Sequence, residues 1–193
     1  MELKHVAVFC GSSRGVDPDF ARQARQLGHE FARQGITLIY GAGNIGLMGV
    51  IADAVLEQGG NVIGVIPHFI KDKEVCHTGL TELILVDTMH QRKQIMAERS
   101  DGFIVLPGGF GTLDEFFEIL TWKQLHLHHK PIGLLNWKGY YDHLLAHIRH
   151  MHREGYLRES NLELLATAAE LAPLLEEMSN MGPSSDLKWF EPR

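Results

Sequence analysis

The chain has 193 residues and a formal net charge of −6, with 45% hydrophobic and 22% charged residues. This length and composition are typical of one globular domain with a substantial core. The negative charge argues against broad nucleic-acid binding, because proteins that bind nucleic acid neutralise its phosphates with a basic surface. With two cysteines, no signal-peptide pattern and no apolar run of spanning length, we expect a cytoplasmic protein that contacts no membrane.

Short apolar runs alternate with helical patterns along the chain. These runs predict strands over 6–10, 36–40, 62–66, 83–86, 103–106 and 132–135. Because the runs are continuously apolar, we expect strands that are buried on both faces, as in a parallel sheet. The prediction is a Rossmann-like α/β fold, a doubly wound parallel sheet with helices on both faces. In this fold ligands bind beyond the carboxyl ends of the strands.

Helical spacing predicts the elements between and after these strands. The first helix is expected over 17–34, closed by Gly35, and an apolar helix follows the glycine-rich turn 41–49. Two closing helices are expected over 139–153 and 167–178. We therefore interpret 1–181 as a single nucleotide-binding catalytic domain and 182–193 as a loose C-terminal tail.

The stretch 107–115 joins the fifth predicted strand to a helix and reads Pro-Gly-Gly-Phe-Gly-Thr-Leu-Asp-Glu. The small residues Gly108, Gly109 and Gly111 let backbone N–H groups approach a ligand closely. The helix that follows presents its positive dipole end to the same place, which favours an anion. This stretch therefore predicts a phosphate-binding turn.

Thr112, Asp114 and Glu115 within that turn have two interpretations. Thr112 and Glu115 have the spacing of a capping box, which would explain both residues without any chemistry. A phosphate site, however, normally avoids extra carboxylates. A carboxylate at a helix N-terminus stays ionised near neutral pH, so Glu115 would also suit the activation of water or the stabilisation of a cationic transition state.

Two further glycine-containing turns follow the first and second strands. Gly41, Gly43 and Gly46 form a literal GxGxxG, but this motif follows the second strand, and no acidic residue ends the third strand to bind a ribose. The turn is therefore interpreted as a wall of a mononucleotide pocket, with tight packing as the alternative and a dinucleotide site as the least favoured. Gly11, Ser12 and Ser13 lack a nucleophile elbow and are predicted to complete that wall through polar contacts.

A basic pair lies near the start of the helix after the fourth strand. Thr88 and Gln91 predict a capping box there, followed by Arg92 and Lys93. Such a pair commonly lies on the solvent-exposed face of a helix and has no further role. At the carboxyl edge of the sheet, however, an arginine can bind a phosphate or carboxylate with two hydrogen bonds, and a lysine beside it adds a point charge.

A histidine group, His126, His128 and His129, lies near a predicted helix end. These residues have no cysteine or carboxylate partners at ligand spacing, so we predict surface residues that favour a partial positive charge and no metal site. The sequence also shows no pattern that calls for a cofactor.

Together these stretches resemble the LOG (Lonely Guy) family of cytokinin-activating phosphoribohydrolases. The resemblance rests on Met89-His90-x-Arg92-Lys93 and the 107–115 stretch, supported by the segments 9–13, 40–49, 64–67, 121–122 and 130–131. It covers the chain in order from about Val6 to the late helices. Neither main motif alone would be as specific as the two together.

The resemblance implies hydrolysis of the N-glycosidic bond of a nucleoside 5′-monophosphate, with cytokinin nucleotides, AMP or both as substrates. It implies Arg92 and Glu115 as the catalytic pair and a homodimer with residues of both subunits near the site. Substrate contacts would fall on Glu74, Arg92, Lys93, Gly108, Gly109, Phe110, Gly111, Thr112, Leu113, Asp114, Glu115 and Thr121. Ala42 stands where many members have glycine, and its methyl group is expected to narrow the pocket wall.

Two other functions remain open for this sequence. A non-catalytic nucleotide or cofactor carrier, similar to molybdenum-cofactor carriers, would use the same turn and need Glu115 only as a cap. Members of the family have also been labelled lysine decarboxylases, but the sequence shows no pyridoxal-phosphate site. Release of free base from a nucleotide would distinguish the hydrolase from a carrier.

Overall fold

The computed structural model describes residues 3–71 and 76–182, and these form one parallel sheet covered by helices on both faces. Within this part of the chain the sheet has seven strands in the order β4-β3-β2-β1-β5-β6-β7. The strands are β1 (His5–Phe9), β2 (Thr37–Tyr40), β3 (Val62–Pro67), β4 (Glu82–Val86), β5 (Gly102–Val105), β6 (Ile132–Leu135) and β7 (Ala166–Ala168).

Eight α-helices connect and follow these strands in the described residues. They are α1 (Pro18–Gln34), α2 (Gly46–Glu57), α3 (His68–Lys71), α4 (Met89–Arg99), α5 (Phe110–Gln124), α6 (Asp142–Arg153), α7 (Glu159–Leu162) and α8 (Leu171–Asn180). α1 begins one residue later than predicted, because Asp17 is its N-cap and its carboxylate accepts a 2.9 Å hydrogen bond from the amide of Asp19. Gly35 ends this helix at φ 70°, a left-handed conformation that glycine adopts without strain.

The core has two layers, one on each face of the sheet. Alternate strand residues such as Val8 and Leu38 pack under α1, α2 and α8, whereas Phe103 and Val105 pack under α4, α5 and α6. Because parallel strands need a covering helix on each face, this arrangement follows from the apolar runs. The prediction of a doubly wound α/β fold is confirmed.

The sequence-based elements differ from the structure at four further places. β4 is an edge strand whose Leu83 and Leu85 are exposed, so the expectation of burial on both faces is wrong there. Residues expected to begin the last helix form β7, which pairs with β6 before α8 starts at Leu171. α2 begins at Gly46, inside the turn predicted over 41–49, and α6 begins at Asp142 rather than at 139. Of the predicted tail, only Gly182 lies within the described residues.

His128 packs against the core, contrary to its expected place as a charged surface residue. Its ring lies 5.3 Å from that of Phe103, and its Nε2 is 2.9 Å from the carbonyl oxygen of Ile119. The amide of Lys130 donates to Nδ1, which fixes the neutral tautomer with the proton on Nε2. Burial, opposed by the Ile119 hydrogen bond and assisted by nearby Lys123 and Lys130, lowers the pKa of His128 to about 4.

This shift predicts an acid-sensitive contribution to stability. At pH values between the folded pKa of His128 and the usual histidine pKa of about 6.5, the unfolded chain binds a proton at this residue that the folded chain does not. The free energy of unfolding therefore falls as the pH falls through this range. We expect His128→Gln to lose less stability than the wild type between about pH 7.5 and 5, measured by urea unfolding. The exposed His143 gives the matched control: if His143→Gln and His128→Gln behave alike, burial of His128 does not cause the acid sensitivity.

Candidate active site

The site lies at the carboxyl edge of the sheet, where β1 and β5 are neighbours. The chain leaves β1 toward β2 on one side and leaves β5 toward β6 on the other, so the loops after these strands diverge. Such a switch point creates the crevice in which doubly wound folds bind ligands. The amide of Gly11 donates to the Pro107 carbonyl at 3.0 Å, and the amide of Leu47 donates to Gly11 at 3.0 Å. These bonds join the loops after β1, β2 and β5.

The turn predicted to bind phosphate leads into α5, whose N-cap is Gly109. Within the described residues no side chain caps this helix, so its first amide groups remain available. The space around Gly109 and Gly111 is open on the side where a side chain would project. An open helix N-terminus at the sheet edge therefore has the features of an anion site.

The capping-box interpretation of Thr112 and Glu115 is wrong, because α5 begins earlier than that box requires. Thr112 is the third residue of the helix, is 4% exposed and packs beneath Gly108, where any side chain at position 108 would overlap its hydroxyl. Glu115 lies in the second turn, with its carboxylate toward α4. Glu115 therefore needs an explanation other than capping.

Arg92 supplies that explanation, since its guanidinium lies beside the Glu115 carboxylate. Arg92 Nη2 is 3.7 Å from Glu115 Oε1, and the two side chains are only 8% and 12% exposed. The capping box of Thr88 and Gln91 is present and fixes the start of α4, as predicted. Arg92 Nε is buried and makes no hydrogen bond to any described residue. The guanidinium thus pairs with Glu115 while retaining donors for an anion.

Gly41 creates the space that Arg92 occupies. A side chain at position 41 would overlap the Arg92 guanidinium, since the guanidinium packs directly on this backbone. Gly41 follows β2, whereas Arg92 lies on α4. The first glycine of the GxGxxG motif therefore positions a cation rather than binding a dinucleotide directly.

Lys93 points away from Arg92 and joins α4 to α5. Its Nζ lies 3.2 Å from Asp114 Oδ2 and 3.0 Å from Glu118 Oε2. Burial alone would lower the pKa of Lys93, but the hydrogen bonds and charges of Glu118 and Asp114 outweigh it and raise the pKa. Lys93 and Asp114 are therefore engaged with each other in this structure, and substrate contact by either remains a prediction.

The other residues of the predicted pocket wall pack the loops together. Gly46 has φ 65° and lies so close to the backbone of Ser12 and Ser13 that a side chain would overlap it. Gly43 forms an isolated bridge with Cys76. Close loop packing, the alternative considered for this motif, thus accounts for these glycines.

Ala42 does not narrow the pocket as expected. It is fully buried at φ 62°, and its methyl faces Gly64 of β3. Its Cβ lies 2.7 Å from the position that a Cβ on Gly64 would take. The methyl group therefore points into the protein rather than toward a ligand.

Four predicted substrate contacts lie on the outer surface of α5 or outside the described residues. Glu74 falls outside the described residues. Thr121 lies on the outer surface of α5 with Phe117 and Trp122. Leu113 is partly buried beside the same surface, and Phe110, at the start of α5, is 94% exposed. The described chain thus places Thr121 in a different surface region from the Arg92–Glu115 pair.

The sequence reasoning missed two tyrosines and a cysteine at this site. The hydroxyl of Tyr140 donates to the Gly108 carbonyl at 2.7 Å, and that of Tyr141 donates to Leu106 at 2.7 Å. Cys10 is buried near Glu115; burial first, and then the charge of Glu115, raise the pKa of its thiol. A protonated thiol is a poor nucleophile, which agrees with a site that works without covalent catalysis by Cys10.

Within residues 3–71 and 76–182, no group of three or more His, Cys, Asp or Glu residues could hold a metal ion. Among the same residues, none of the helices combines the length and apolar character required to cross a bilayer.

Comparison with known proteins identifies relatives over most of the chain. Residues 48–178 match the family model described as "Possible lysine decarboxylase". The chain is 44% identical over 181 residues to "Probable cytokinin riboside 5'-monophosphate phosphoribohydrolase LOGL5" of Oryza sativa subsp. japonica, covering 94% of this chain and 74% of the relative. It is 42% identical over 184 residues to "Cytokinin riboside 5'-monophosphate phosphoribohydrolase LOG5" of Arabidopsis thaliana, covering 95% and 81%.

Solved structures share the fold at lower sequence identity. The molybdenum cofactor carrier protein MCP from Chlamydomonas reinhardtii has a TM-score of 0.69 at 20% identity, covering 93% of this chain and 98% of that one. The molybdenum cofactor binding protein of Rippkaea orientalis has a TM-score of 0.68 at 22% identity, covering 93% and 97%. At these identities the likeness concerns the fold alone. The family model and the relatives at 42–44% identity show that the chain belongs to the LOG family.

Proposed function

We propose that this protein hydrolyses the N-glycosidic bond of nucleoside 5′-monophosphates (cytokinin nucleotides, AMP or both), releasing free base and ribose 5-phosphate. The observation that carries this proposal is the buried Arg92–Glu115 pair beside the open N-terminus of α5. The relatives named as phosphoribohydrolases are 42–44% identical to the chain, whereas the carriers that share its fold are 20–22% identical. The hydrolase is therefore favoured over the carrier.

In the proposed reaction, the turn before α5 binds the phosphate, and Arg92 and Glu115 act at the glycosidic bond. The amides at the start of α5 bind the 5′-phosphate, which holds the ribose still beside Glu115. As the C1′–N bond breaks, its electron pair leaves with the base and positive charge develops on the ribose. The Glu115 carboxylate stabilises this charge and polarises the water that adds to C1′. The added water loses one proton and the departing base takes up one, which gives the free base and ribose 5-phosphate. Arg92 offsets the negative charges of the phosphate and Glu115.

Incubation with AMP and, separately, with isopentenyladenosine monophosphate tests this proposal. We expect free base and ribose 5-phosphate in equal amounts, measured by chromatography, without any added metal or cofactor. The ratio of kcat/KM for the two substrates gives the base preference. A protein that binds either nucleotide but releases no base would instead be a carrier.

We also propose a homodimer in which the outer surfaces of α5 meet. Phe110 and Phe117 are exposed there beside Trp122, and clustered apolar surface commonly marks a protein interface. Such a dimer would explain why the resemblance assigns Thr121 to substrate binding, since Thr121 lies on this surface rather than beside Glu115. Analytical ultracentrifugation tests the oligomeric state.

A cytoplasmic location is proposed as well. Cys10 and Cys76 are both free thiols, as is usual in a reducing compartment. Cell fractionation tests this location.

A further inference from the structure

Three consecutive carbonyl groups in the turn before α5 each accept a hydrogen bond. Leu106 accepts from the Tyr141 hydroxyl at 2.7 Å, Pro107 accepts from the Gly11 amide at 3.0 Å, and Gly108 accepts from the Tyr140 hydroxyl at 2.7 Å. Two of these donors are adjacent tyrosines on the connection between β6 and α6. The turn is therefore held from both sides, by the loop after β1 and by this connection.

Fixing a carbonyl also fixes the next amide. A peptide unit is planar and its C=O and N–H point in opposite directions, so a bond to the Gly108 carbonyl sets the direction of the Gly109 N–H. The bond from Gly11 to Pro107 sets the Gly108 N–H in the same way. The peptide unit between Gly108 and Gly109 has glycine on both sides. Without a hydrogen bond to its carbonyl, it would rotate more freely than the other peptide units of the turn. A rotated peptide would present a carbonyl oxygen, which repels an anion.

The tyrosines are themselves well positioned. Lys138 Nζ lies 2.7 Å from Asp17 Oδ2 and also contacts Asp19, which ties the connection to the start of α1. The Tyr141 amide donates to the side chain of Asn136 at 2.7 Å. The ring of Tyr140 meets that of Phe20 edge-on, with 5.5 Å between the centroids. These contacts hold both hydroxyls toward the turn.

We propose that Tyr140 is a positioning residue for the phosphate group of the substrate: by binding the Gly108 carbonyl, it keeps the Gly109 amide of the turn directed at a phosphate monoester. Tyr141 binds the Leu106 carbonyl, which precedes the nitrogen of Pro107 and therefore sets no N–H, so it holds only the backbone at the start of the turn. The proposal rests on the proposed function for the identity of the ligand. It assigns neither tyrosine a direct contact with the reacting bond. The hydroxyl of Tyr140 is the more informative of the two, because its bond sets the Gly109 amide.

The test removes the Tyr140 hydroxyl and measures phosphate binding without catalysis. Tyr140 is 44% exposed, so we expect Tyr140→Phe to stay folded. Loss of one hydrogen bond that orients the turn is expected to weaken binding of ribose 5-phosphate about fivefold, with binding of adenine unchanged, by isothermal titration calorimetry. KM for AMP should rise by a similar factor while kcat changes less than about twofold.

Tyr156 provides the matched control, being a tyrosine that is 84% exposed after α6. Tyr156→Phe should bind ribose 5-phosphate like the wild type. Tyr141→Phe should weaken ribose 5-phosphate binding less than Tyr140→Phe does, because the nitrogen after the Leu106 carbonyl is that of Pro107 and carries no hydrogen. Its urea midpoint measures the stability lost when the Leu106 carbonyl no longer accepts this hydrogen bond.

Three outcomes would overturn the proposal. These are unchanged ribose 5-phosphate affinity in Tyr140→Phe, an equal loss for adenine, and no binding of ribose 5-phosphate by the wild type. Because this measurement needs no hydrolysis, its result is separate from that of the base-release assay. A protein that binds ribose 5-phosphate through the tyrosine-held turn but releases no base would support the positioning role and reject the proposed reaction.

Discussion

Replacing Glu115 with glutamine is expected to lower kcat for base release from AMP by about 10²- to 10³-fold. Glutamine keeps the size of the side chain but removes the charge that stabilises positive charge on the ribose. KM should stay level or fall, because Arg92, 3.7 Å from the carboxylate in the wild type, would face the phosphate without a competing anion. Steady-state kinetics with AMP measures both values.

Glu118 supplies the matched control for this experiment. It lies on the same helix less than one turn further on, and its carboxylate pairs with Lys93 at 3.0 Å rather than with Arg92. Glu118→Gln should retain most of the activity, and thermal unfolding should show that both variants are folded. If Glu115→Gln turned over AMP at the wild-type rate, the carboxylate would have no catalytic role.

Removing the Arg92 guanidinium is expected to have the second largest effect. Arg92→Ala should lower kcat/KM for AMP by about 10²-fold, because phosphate and Glu115 would then lack their shared counter-charge. Arg92→Lys should recover only part of this loss, since an ammonium group cannot reproduce a planar two-point contact. Steady-state kinetics and nucleotide binding by calorimetry measure the effect, and unchanged kcat/KM would make Arg92 a structural residue.

Gly41→Ala tests the role of the Arg92 guanidinium without replacing Arg92 itself. The added methyl would overlap the Arg92 guanidinium, so the variant should lose activity toward the level of Arg92→Ala although position 41 carries no functional group. A double variant, Gly41→Ala with Arg92→Ala, should be no worse than Arg92→Ala alone, because both changes remove one interaction. Additive losses would show that Gly41 acts on the site by another route.

The fold was largely predictable because its signals are local. Apolar runs, the helix end at Gly35 and the capping box at Thr88 depend on neighbouring residues, and all appear in the structure. β7 was not predictable, since three small residues, Ala166–Ala168, carry too little apolar pattern to distinguish a strand from the start of a helix. These residues form a strand because they pair with β6, and that pairing depends on the position of β6 in the complete sheet.

The site was predictable in its parts but not in its contacts. Arg92 and Glu115 could be placed at the starts of two helices, but their contact depends on the space above Gly41, far away in the sequence. Lys93 follows Arg92 directly, yet successive residues of a helix point about 100° apart, so its amine reaches Glu118 instead. The hydrogen bonds of Tyr140 and Tyr141 could not be predicted from the sequence. A hydroxyl that donates to a backbone carbonyl requires no particular residue type as its partner, so these bonds have no sequence motif.

The contact between Ala42 and Gly64 restricts how this sequence can change over time. The two positions share room for one methyl group, because a Cβ on Gly64 would lie 2.7 Å from that of Ala42. Ala42 also holds a left-handed backbone conformation at φ 62° that glycine adopts more easily. Ala42→Gly is therefore open as a single mutational step, whereas a side chain at position 64 requires that step and also a shift of Leu80, whose Cδ1 would lie 2.4 Å from the new Cβ. The order of substitutions, and not only their identity, is thus restricted by the contact between the loop after β2 and the middle of β3.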